Sequence, residues 1–404
     1  MGIDRLLLIA DAGGLGDGDR WHVGDEAMLA GTIGWLRTAA PGTELVVASS
    51  SPEWTRRIHG VDAVPCLDFG DDSDTAASIA HYRAVIGAFG PAAAMSDMSG
   101  AAPPPFVTAL RAADAVLFCG AGNLCSAFPN RLYERITVAA LARVLGRPYA
   151  FSAQTIGPLW GEADRDEVAR ALAGAVMVGT RDDASAALAA ELGVAATPMA
   201  DDALRLTAPP GAGARALIGV TLHRSPLAER PYDTGTVARA LDRLAEAIGG
   251  EILFIPHFRG PGGRWSDAAA GDELAGRLSV PLRHAPWEDP VAVMRTTAAC
   301  RVVLSTRYHP LVFALGSCVP ALGLYQDEYH LIKMGGLMEK FDRRSWLHAA
   351  DVPRGGAALG EALTALLDER ATAGRPAENA PARSRILAAD KAARAGLLAR
   401  LAAS

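Results

Sequence analysis

Short apolar runs alternate with longer helical patterns along the first half of the chain. The runs that predict β-strands are Leu6–Ala10, Leu45–Ala48, Ala115–Cys119, Tyr149–Ala153, Ala175–Val178 and Thr197–Ala200. The helices predicted between them are Gly24–Ala39, Arg131–Leu145, Asp164–Leu172 and Asp182–Leu192. Such alternation predicts a parallel sheet with helices on both faces.

The alternation restarts after a stretch rich in proline and glycine, Thr207–Gly213. The strands predicted beyond it are Ala216–Leu222, Ile252–Pro256, Val302–Ser305 and Ala321–Tyr325, and the helices are Thr236–Ile248 and Asp267–Leu278. A chain of 404 residues is long enough for two domains. We therefore predict α/β domains over residues 1–207 and 208–372, followed by a helical tail over residues 373–404.

Composition and charge narrow the class of protein. Half of the residues are apolar and 21% are charged, which is normal for a folded protein. The formal net charge of −6 argues against a nucleic-acid binder but still allows a small anionic ligand. Five cysteines, an odd number, predict reduced thiols and a cytoplasmic location. No run of about 18 apolar residues predicts a membrane span. Peripheral membrane association and a homo-oligomer stay open.

The segment Ser305-Thr306-Arg307-Tyr308-His309 joins a predicted strand to a predicted helix. In open α/β sheets, ligands bind at the carboxyl ends of strands, and the N–H groups of a helix N-terminus favour an anion. Arg307 supplies a permanent forked cation, and His309 can move a proton near neutral pH. The pair predicts an anionic substrate and proton-transfer chemistry.

Two further strand ends carry a histidine and an arginine. His223 and Arg224 follow one predicted strand, and His257 and Arg259 follow another. Three such pairs on one sheet edge predict a positively charged pocket. A competing hypothesis is that His223, His257 and His309 bind a metal ion. The adjacent arginines and the lack of an accompanying carboxylate argue against it.

Loops that follow strands of the first half also contain candidate residues. They are the glycine-rich loop from Asp11 to Ala27, with Gly14 and Asp25; Cys119–Leu124, with Gly122 and Asn123; Gln154–Leu159; and Gly179–Ser185, with Arg181. Each of the four loops also has a purely structural explanation, in the same order. The first would be a surface loop, the second a strand-to-helix turn, the third a loop in which Gln154 hydrogen-bonds to backbone groups, and the fourth a helix start capped by Asp182. Arg181 has no such structural reason at a strand tip.

Taken in order, these segments resemble the polysaccharide pyruvyl transferase family. The matching residues are Gly24-Asp25-Glu26-Ala27, Gly120-Ala121-Gly122-Asn123, Gln154-Thr155-Ile156-Gly157-Pro158, Thr180-Arg181-Asp182-Asp183-Ala184-Ser185, and Arg307-Tyr308-His309 with Phe313-Ala314. The resemblance implies two Rossmann-like domains of GT-B type with parallel sheets, facing across a cleft. It also implies phosphoenolpyruvate as donor and a sugar or glycoconjugate as acceptor.

The resemblance allows a role to be assigned to each candidate. His309 is expected to act as general acid and Arg307 to hold the donor, in a ketal-forming transfer that releases phosphate. The other donor-binding residues expected are Arg181, His223, Arg224, His257 and Arg259. The acceptor-binding residues expected are Gly14, Asp25, Gly122, Asn123 and Gln154. We expect no metal and no cofactor, with phosphoenolpyruvate as co-substrate.

Two segments differ from the family pattern. The first loop carries Trp21 and His22, with Asp17 and Asp19 before them, where a shorter loop containing asparagine is usual. The segment after Tyr325 is Gln-Asp-Glu-Tyr-His in place of a simpler Tyr-Asp-x-Lys run. Two alternatives therefore stay open: a GT-B glycosyltransferase that uses a nucleotide sugar, and a repurposed family member that tailors a small natural product.

Overall fold

A computed structural model describes residues 2–15, 20–67, 69, 75–89, 104–206, 216–260, 266–351, 357–372 and 379–404. Contacts divide the chain into two compact units. The first unit consists of Met1–Gly14, Met28–Asp202 and Ala388–Ser404, and the second consists of Leu15–Ala27 and Ala203–Leu387.

The first unit contains a parallel sheet of seven strands in the order β4-β3-β1-β5-β6-β7-β8. The strands are β1 (Arg5–Ala12), β3 (Glu44–Ser49), β4 (Asp62–Pro65), β5 (Ala115–Phe118), β6 (Tyr149–Gln154), β7 (Met177–Thr180) and β8 (Thr197–Pro198). The helices that follow them are α1 (Val23–Ala39), of which Val23–Ala27 belong to the second unit, α2 (Pro52–His59), α3 (Thr75–Phe89), α4 (Pro105–Ala112), α5 (Pro129–Val144), α6 (Glu162–Ala173) and α7 (Asp183–Glu191).

Strand β1 shows why this sheet is covered on both faces. Side chains of a strand point alternately to its two sides, and here both sets are apolar. Leu7 and Ile9 belong to one buried cluster and Leu6 and Leu8 to another. Each face therefore needs its own layer of helices.

The last helix, α14 (Asn379–Ala403), contributes to the first unit. Its Leu397 and Leu401 pack in the cluster that contains Leu6 and Leu8. Arg394 of the same helix is fully buried and forms ion pairs with Asp202 and Asp390. Helix α14 is thereby fixed to the first unit by apolar packing and by a buried charge network.

The second unit contains a parallel sheet of six strands in the order β12-β10-β9-β13-β14-β15. The strands are β9 (Leu217–Thr221), β10 (Glu251–Phe254), β12 (Leu282–His284), β13 (Val302–Ser305), β14 (Ala321–Tyr325) and β15 (Leu347–Ala349). The helices are α8 (Thr234–Ile248), α9 (Asp267–Ala275), α10 (Pro290–Ala298), α11 (Tyr308–Gly316), α12 (Glu328–Lys340) and α13 (Ala357–Thr372). Short 3-10 turns lie at Asp202–Leu206 and Arg344–Trp346.

A small antiparallel pair joins the loop after β1 to the second unit. Strand β2 (Trp21–His22) pairs with β11 (Phe258–Arg259), and the Val23 N–H donates to the His257 carbonyl at 2.9 Å. These contacts explain why Leu15–Ala27 belongs to the second unit. The predicted domain of residues 1–207 treats this segment as part of the first half, and the observed units differ from it here.

The predicted fold class, an α/β protein with two parallel sheets, is confirmed. Strands β13 and β14 have the predicted bounds, whereas β7 begins two residues later than the run Ala175–Val178 suggested. The predicted boundary at Thr207–Gly213 lies outside the described residues. The short strands β2 and β11 were not predicted, because two residues carry no periodic signal.

Candidate active site

Polar side chains gather at the carboxyl ends of four neighbouring strands in the second sheet. The order β10-β9-β13-β14 sets these strand ends side by side. The histidines that follow them, together with His22 of β2, are called the imidazole cluster: His22, His223, His257, His309 and His330. Carboxyl ends of strands are the usual ligand sites of open α/β sheets, so the three predicted His–Arg pairs follow adjacent strands at such an edge.

Arg307 is held by a buried carboxylate. Its Nε donates to both oxygens of Asp267, at 2.9 and 2.8 Å, and its Nη2 donates to Oδ1 at 2.6 Å. Asp267 is fully buried and also accepts the backbone N–H groups of His257 and Phe258, each at 3.0 Å. Burial raises the pKa of Asp267, and the hydrogen bonds from Arg307 oppose that rise. The guanidinium therefore has a fixed orientation, with Nε and Nη2 taken by Asp267.

His257 is a buried imidazole with a defined tautomer. Its Nδ1 lies 3.1 Å from the Ile255 carbonyl, which can only accept, so Nδ1 carries the proton. The other ring nitrogen, Nε2, is buried and has no hydrogen-bond partner among the described residues. Burial lowers the pKa of His257 to about 3. The neutral ring thus presents a lone pair at Nε2.

His223 follows β9 and is anchored by Thr306. Both its backbone N–H, at 2.8 Å, and its Nδ1, at 2.9 Å, contact the Thr306 hydroxyl. Burial, with the positive charge of Arg307 next in weight, lowers the pKa of His223 well below its usual value. The structure thus favours a neutral His223 beside the predicted donor-binding arginine.

His309 lies in the first turn of α11, against the backbone of Gly24 in α1. A Cβ built on Gly24 would lie 1.7 Å from Nδ1 of His309, so no side chain fits at position 24 while the ring keeps its place. The His309 ring also makes an edge contact with His22, with ring centroids 6.0 Å apart. Gly24, quoted from the sequence as part of a motif, thus serves to admit the His309 imidazole.

His22 is held in place by Asp25 and by the β2–β11 pair. The backbone N–H of Asp25 donates to Nδ1 of His22 at 3.2 Å, and a carboxylate oxygen of Asp25 lies 3.3 Å from the same nitrogen. Burial, followed by the charges of Arg307 and Arg20, lowers the pKa of His22 well below its usual value. Asp25, predicted to bind acceptor, here orients an imidazole.

Asp327 and His330 form a carboxylate–imidazole pair at the start of α12. Asp327 caps the helix by accepting the His330 N–H at 2.9 Å, and its Oδ1 lies 2.7 Å from Nδ1 of His330. The Ser225 hydroxyl donates to the second oxygen at 2.6 Å. Burial opposes ionisation of Asp327, yet its hydrogen bonds lower its pKa to about 2. Burial, followed by the charge of Lys333, lowers the pKa of His330 to about 4.

The other two predicted donor arginines of this unit are engaged elsewhere. Arg224 is half-exposed and donates through Nη2 to both oxygens of Glu273, at 2.6 and 2.7 Å. Arg259 donates to the Leu15 carbonyl at 3.1 Å. Arg224 would have to leave Glu273 to clamp a donor, and a solvent-exposed ion pair is a sufficient reason for its charge.

Arg181, the remaining predicted donor residue, lies in the first unit and is buried. Its Nη1 donates to Asp201 at 2.7 Å, and its Nε donates to the Thr155 hydroxyl at 2.9 Å. Asp182 caps α7 by accepting the Ser185 N–H at 2.8 Å, as the sequence allowed. The charge of Arg181 is therefore matched by a buried carboxylate in its own unit.

Two predicted acceptor-binding side chains of the first unit bond to protein groups. The amide nitrogen of Gln154 donates to the carbonyls of Cys119 and Ser152, each at 2.7 Å, which favours the structural alternative for this residue. Asn123 donates through Nδ2 to Asp11 at 2.7 Å. Asn123 and Asp11 form a polar pair at the carboxyl ends of β1 and β5, where a sugar hydroxyl can be recognised.

Among the glycines of these loops, Gly120 allows a close approach to its backbone. Gly120 donates its N–H to Asp202 at 2.7 Å, and a Cβ at this position would lie 2.5 Å from the same carboxylate oxygen. Gly14 and Gly122 are buried in the first unit. The Asp202 carboxylate packed against Gly120 is enough to explain why this position has no side chain, so a bound ligand is not needed to explain the glycine.

Two acids of the site have roles that the sequence analysis did not assign to them. Asp267 begins a predicted helix, and it also holds Arg307. Asp327 lies in the segment after Tyr325 that differs from the family pattern, and it both caps α12 and pairs with His330. Within the described ranges, no three His, Cys, Asp or Glu side chains are grouped to hold a metal ion.

The family model for polysaccharide pyruvyl transferases matches residues 22–328. The chain belongs to this family. The resemblance noted from the sequence is thereby confirmed, and with it membership in a family of transferases. The matched range begins at His22 and includes Arg307 and His309.

Solved structures similar to this family member share its fold at low sequence identity. HepE from Anabaena, in complex with UDP, has a TM-score of 0.60 and 13% identity, over 97% of this chain and 99% of HepE. The UDP-N-acetylglucosamine 2-epimerase of Rickettsia bellii has a TM-score of 0.57 and 13% identity, over 98% and 96%. MnaA of S. aureus, with UDP, has a TM-score of 0.57 and 13% identity, over 94% and 90%. No curated protein has a significantly similar sequence.

The arrangement can bind an anion and transfer protons. The Arg307 guanidinium is fixed in orientation, and two rings of the imidazole cluster, His257 and His330, have their Nδ1 proton placed by an oxygen that can only accept. In the part of the chain that the structure describes, no helix is long and apolar enough to cross a membrane.

Proposed function

We propose that this protein transfers the pyruvyl group of phosphoenolpyruvate to hydroxyl groups of a sugar or glycoconjugate, forming a ketal and releasing phosphate. The observation that supports this function is the imidazole cluster around Arg307, at the carboxyl edge of the second sheet of a pyruvyl transferase family member. An anionic donor needs a cation of fixed geometry, and its chemistry needs groups that move protons.

The reaction assigns a separate task to each residue type. C3 of the donor must take a proton, which makes C2 electrophilic, and His309 is the residue we assign as general acid. A sugar hydroxyl then attacks C2, the C2–O bond to phosphate breaks, and a second hydroxyl closes the ketal. Arg307 holds the donor anion through Nη1, the guanidinium nitrogen that Asp267 leaves unused.

The proton count of this reaction closes without any further reagent. Two hydroxyl groups each lose a proton as their oxygens bond to C2. One proton is needed at C3, and the other leaves on phosphate. Neutral imidazoles suit this exchange because each can accept a proton at one ring nitrogen and later return it.

The acceptor is assigned to the first unit. Asn123, with its partner Asp11, offers the kind of amide and carboxylate groups that bind sugar hydroxyls, and Gly14 and Gly122 lie in the same strand-end loops. Gln154 fits this role less well, because its amide hydrogens are already donated to carbonyl groups.

The experiment that tests the function is phosphate release from phosphoenolpyruvate with a panel of nucleotide- and lipid-linked sugars, followed by mass spectrometry. Pyruvyl transfer adds about 70 mass units to the acceptor and consumes two hydroxyls. His309→Gln should abolish turnover and leave donor binding largely intact, because it removes the proton donor but not the cation. A near-normal rate for that variant would refute the role of His309.

A nucleotide-sugar-dependent glycosyltransferase is the second candidate. The similarity to HepE in its UDP complex favours it, because the same fold accommodates a nucleotide there. Release of UDP or GDP from a nucleotide sugar, with no phosphate from phosphoenolpyruvate, would establish this alternative. A repurposed member acting on a small natural product would show the mass gain only on such an acceptor, and the unusual loop with Trp21 and His22 is the reason to include these compounds.

A further inference from the structure

We infer that His330, oriented by Asp327, is the base that removes the proton from the attacking hydroxyl of the acceptor. The inference rests on the proposed function, and it assigns a residue that neither the Arg307–His309 segment nor the family match identifies. The carboxylate–imidazole pair and the unoccupied ring nitrogen of His330 are the observations that carry it.

The first observation is the geometry of the pair. Asp327 accepts the His330 N–H at 2.9 Å and contacts Nδ1 at 2.7 Å through the same oxygen, while Ser225 donates to the other oxygen at 2.6 Å. A carboxylate with three donors is fixed in position, and its contact with Nδ1 places the ring proton there. This is the orientation of a catalytic histidine by a carboxylate, which keeps the second nitrogen as a base.

The second observation is the state of Nε2 in His330. Among the described residues, the hydrogen bond of the His330 ring is made by Nδ1 to Asp327, and Nε2 has no protein partner there. The His330 side chain is only 6% exposed. A buried ring whose lone pair has no protein partner is available to accept a proton from a substrate hydroxyl.

The third observation connects His330 with the rest of the site. Its ring centroid lies 5.0 Å from that of His223, which bonds to Thr306, the residue before Arg307. The charges of Lys333 and Arg307 both lower the pKa of His330, so both cations act on the ring. An anionic donor beside these cations would offset them, and His330 would become a stronger base when the donor is bound.

The proposed step balances as follows. The hydroxyl oxygen forms a bond to the electrophilic C2 with one of its electron pairs, and its O–H bond breaks. The proton passes to Nε2 of His330, which becomes an imidazolium stabilised by the Asp327 carboxylate. The proton then leaves on phosphate or returns to the group that protonates C3.

The test compares His330→Gln and Asp327→Asn with the wild-type protein in the phosphate-release assay. His284→Gln is the matched control, because His284 belongs to the same unit, lies in β12 at the sheet edge and pairs with the exposed Asp272. We expect kcat to fall about 10²- to 10⁴-fold in both variants, with phosphoenolpyruvate affinity unchanged. Asparagine can still cap α12, so the loss in Asp327→Asn would report the charge.

Nitrogen-15 NMR of the imidazoles measures which ring nitrogen of His330 carries the proton, a property that a purely structural role of the residue would not require. With His330→Gln to assign the signal, wild-type His330 should be protonated at Nδ1 and unprotonated at Nε2, and Asp327→Asn should change that tautomer population. A wild-type ring protonated at Nε2 would overturn the inference whatever the rates are.

The possible outcomes separate the two proposals. If wild-type protein transfers pyruvyl groups and His330→Gln retains more than about a tenth of the rate, the inference fails and the proposed function stands. If wild-type protein releases no phosphate with any acceptor, the proposed function fails and the assignment of His330 fails with it.

Discussion

Replacing Gly24 with alanine tests whether the position of the His309 ring determines activity. The added Cβ would lie 1.7 Å from Nδ1 of His309, and ordinary contact begins at 3.4 Å, so the ring must move by about 1.7 Å. Displacing a reacting group by about 1 Å can cost a factor of about 10² in rate. We therefore expect kcat for pyruvyl transfer to fall at least about 10²-fold, which is about 2.7 kcal/mol of activation free energy.

Folding should not suffer in parallel, because alanine is favoured over glycine in a helix by up to about 1 kcal/mol. Gly34→Ala, in the same helix with nothing within 4 Å of the added Cβ, is the matched control. It should retain the wild-type rate and melt no earlier than wild type. Phosphate release measures the rate, and circular dichroism measures the melting temperature. The NMR chemical shifts of the His309 imidazole report whether the ring has moved. Full activity in Gly24→Ala would show that His309 is not positioned by this contact.

Two further predictions concern stability. The pKa values of buried His257 and His330 are lowered to about 3 and about 4, so the unfolded chain binds more protons below about pH 6.5. The free energy of unfolding is therefore not reduced by these two histidines above that pH, and it decreases as pH falls towards 4, at a combined ~2.7 kcal/mol per pH unit. A urea midpoint that stays unchanged from pH 7 to pH 5 would contradict this prediction. Arg394→Met should cost about 3–5 kcal/mol by leaving two buried carboxylates unpaired, whereas exposed Arg400→Met should stay within about 0.5 kcal/mol in the same urea titration.

The sequence was sufficient where the evidence is local. The apolar run before Arg307 and the apolar helix after His309 define a strand end, and the structure has β13 and α11 at these positions. The three His–Arg pairs follow neighbouring strands because parallel strands joined by helices place their carboxyl ends at one edge.

The sequence was insufficient to predict a contact when the two residues lie far apart along the chain, or when a simpler structural reason already explains the residue. Asp267 lies forty residues before Arg307, and an acid in the first turn of a helix is already explained by the helix dipole. His22 is brought to the site by the pairing of β2 with β11, and strands of two residues are too short to show a hydrophobic pattern in the sequence. Arg224 and Gln154 were assigned ligands by their position alone, and only the structure could show that Glu273 and two backbone carbonyls use their donors.

The protonation states of the cluster bear on how the proposed reaction can run. Burial and the charge of Arg307 keep His22, His223 and His257 neutral at neutral pH, and Asp267 is paired with Arg307 itself. A neutral imidazole can accept a proton, whereas an imidazolium cannot. Since the reaction removes two hydroxyl protons and uses only one at C3, a site rich in neutral imidazoles is suited to receiving protons from the acceptor. A bound anionic donor would then favour the charged imidazole that protonates C3, so donor binding should precede attack by the hydroxyl.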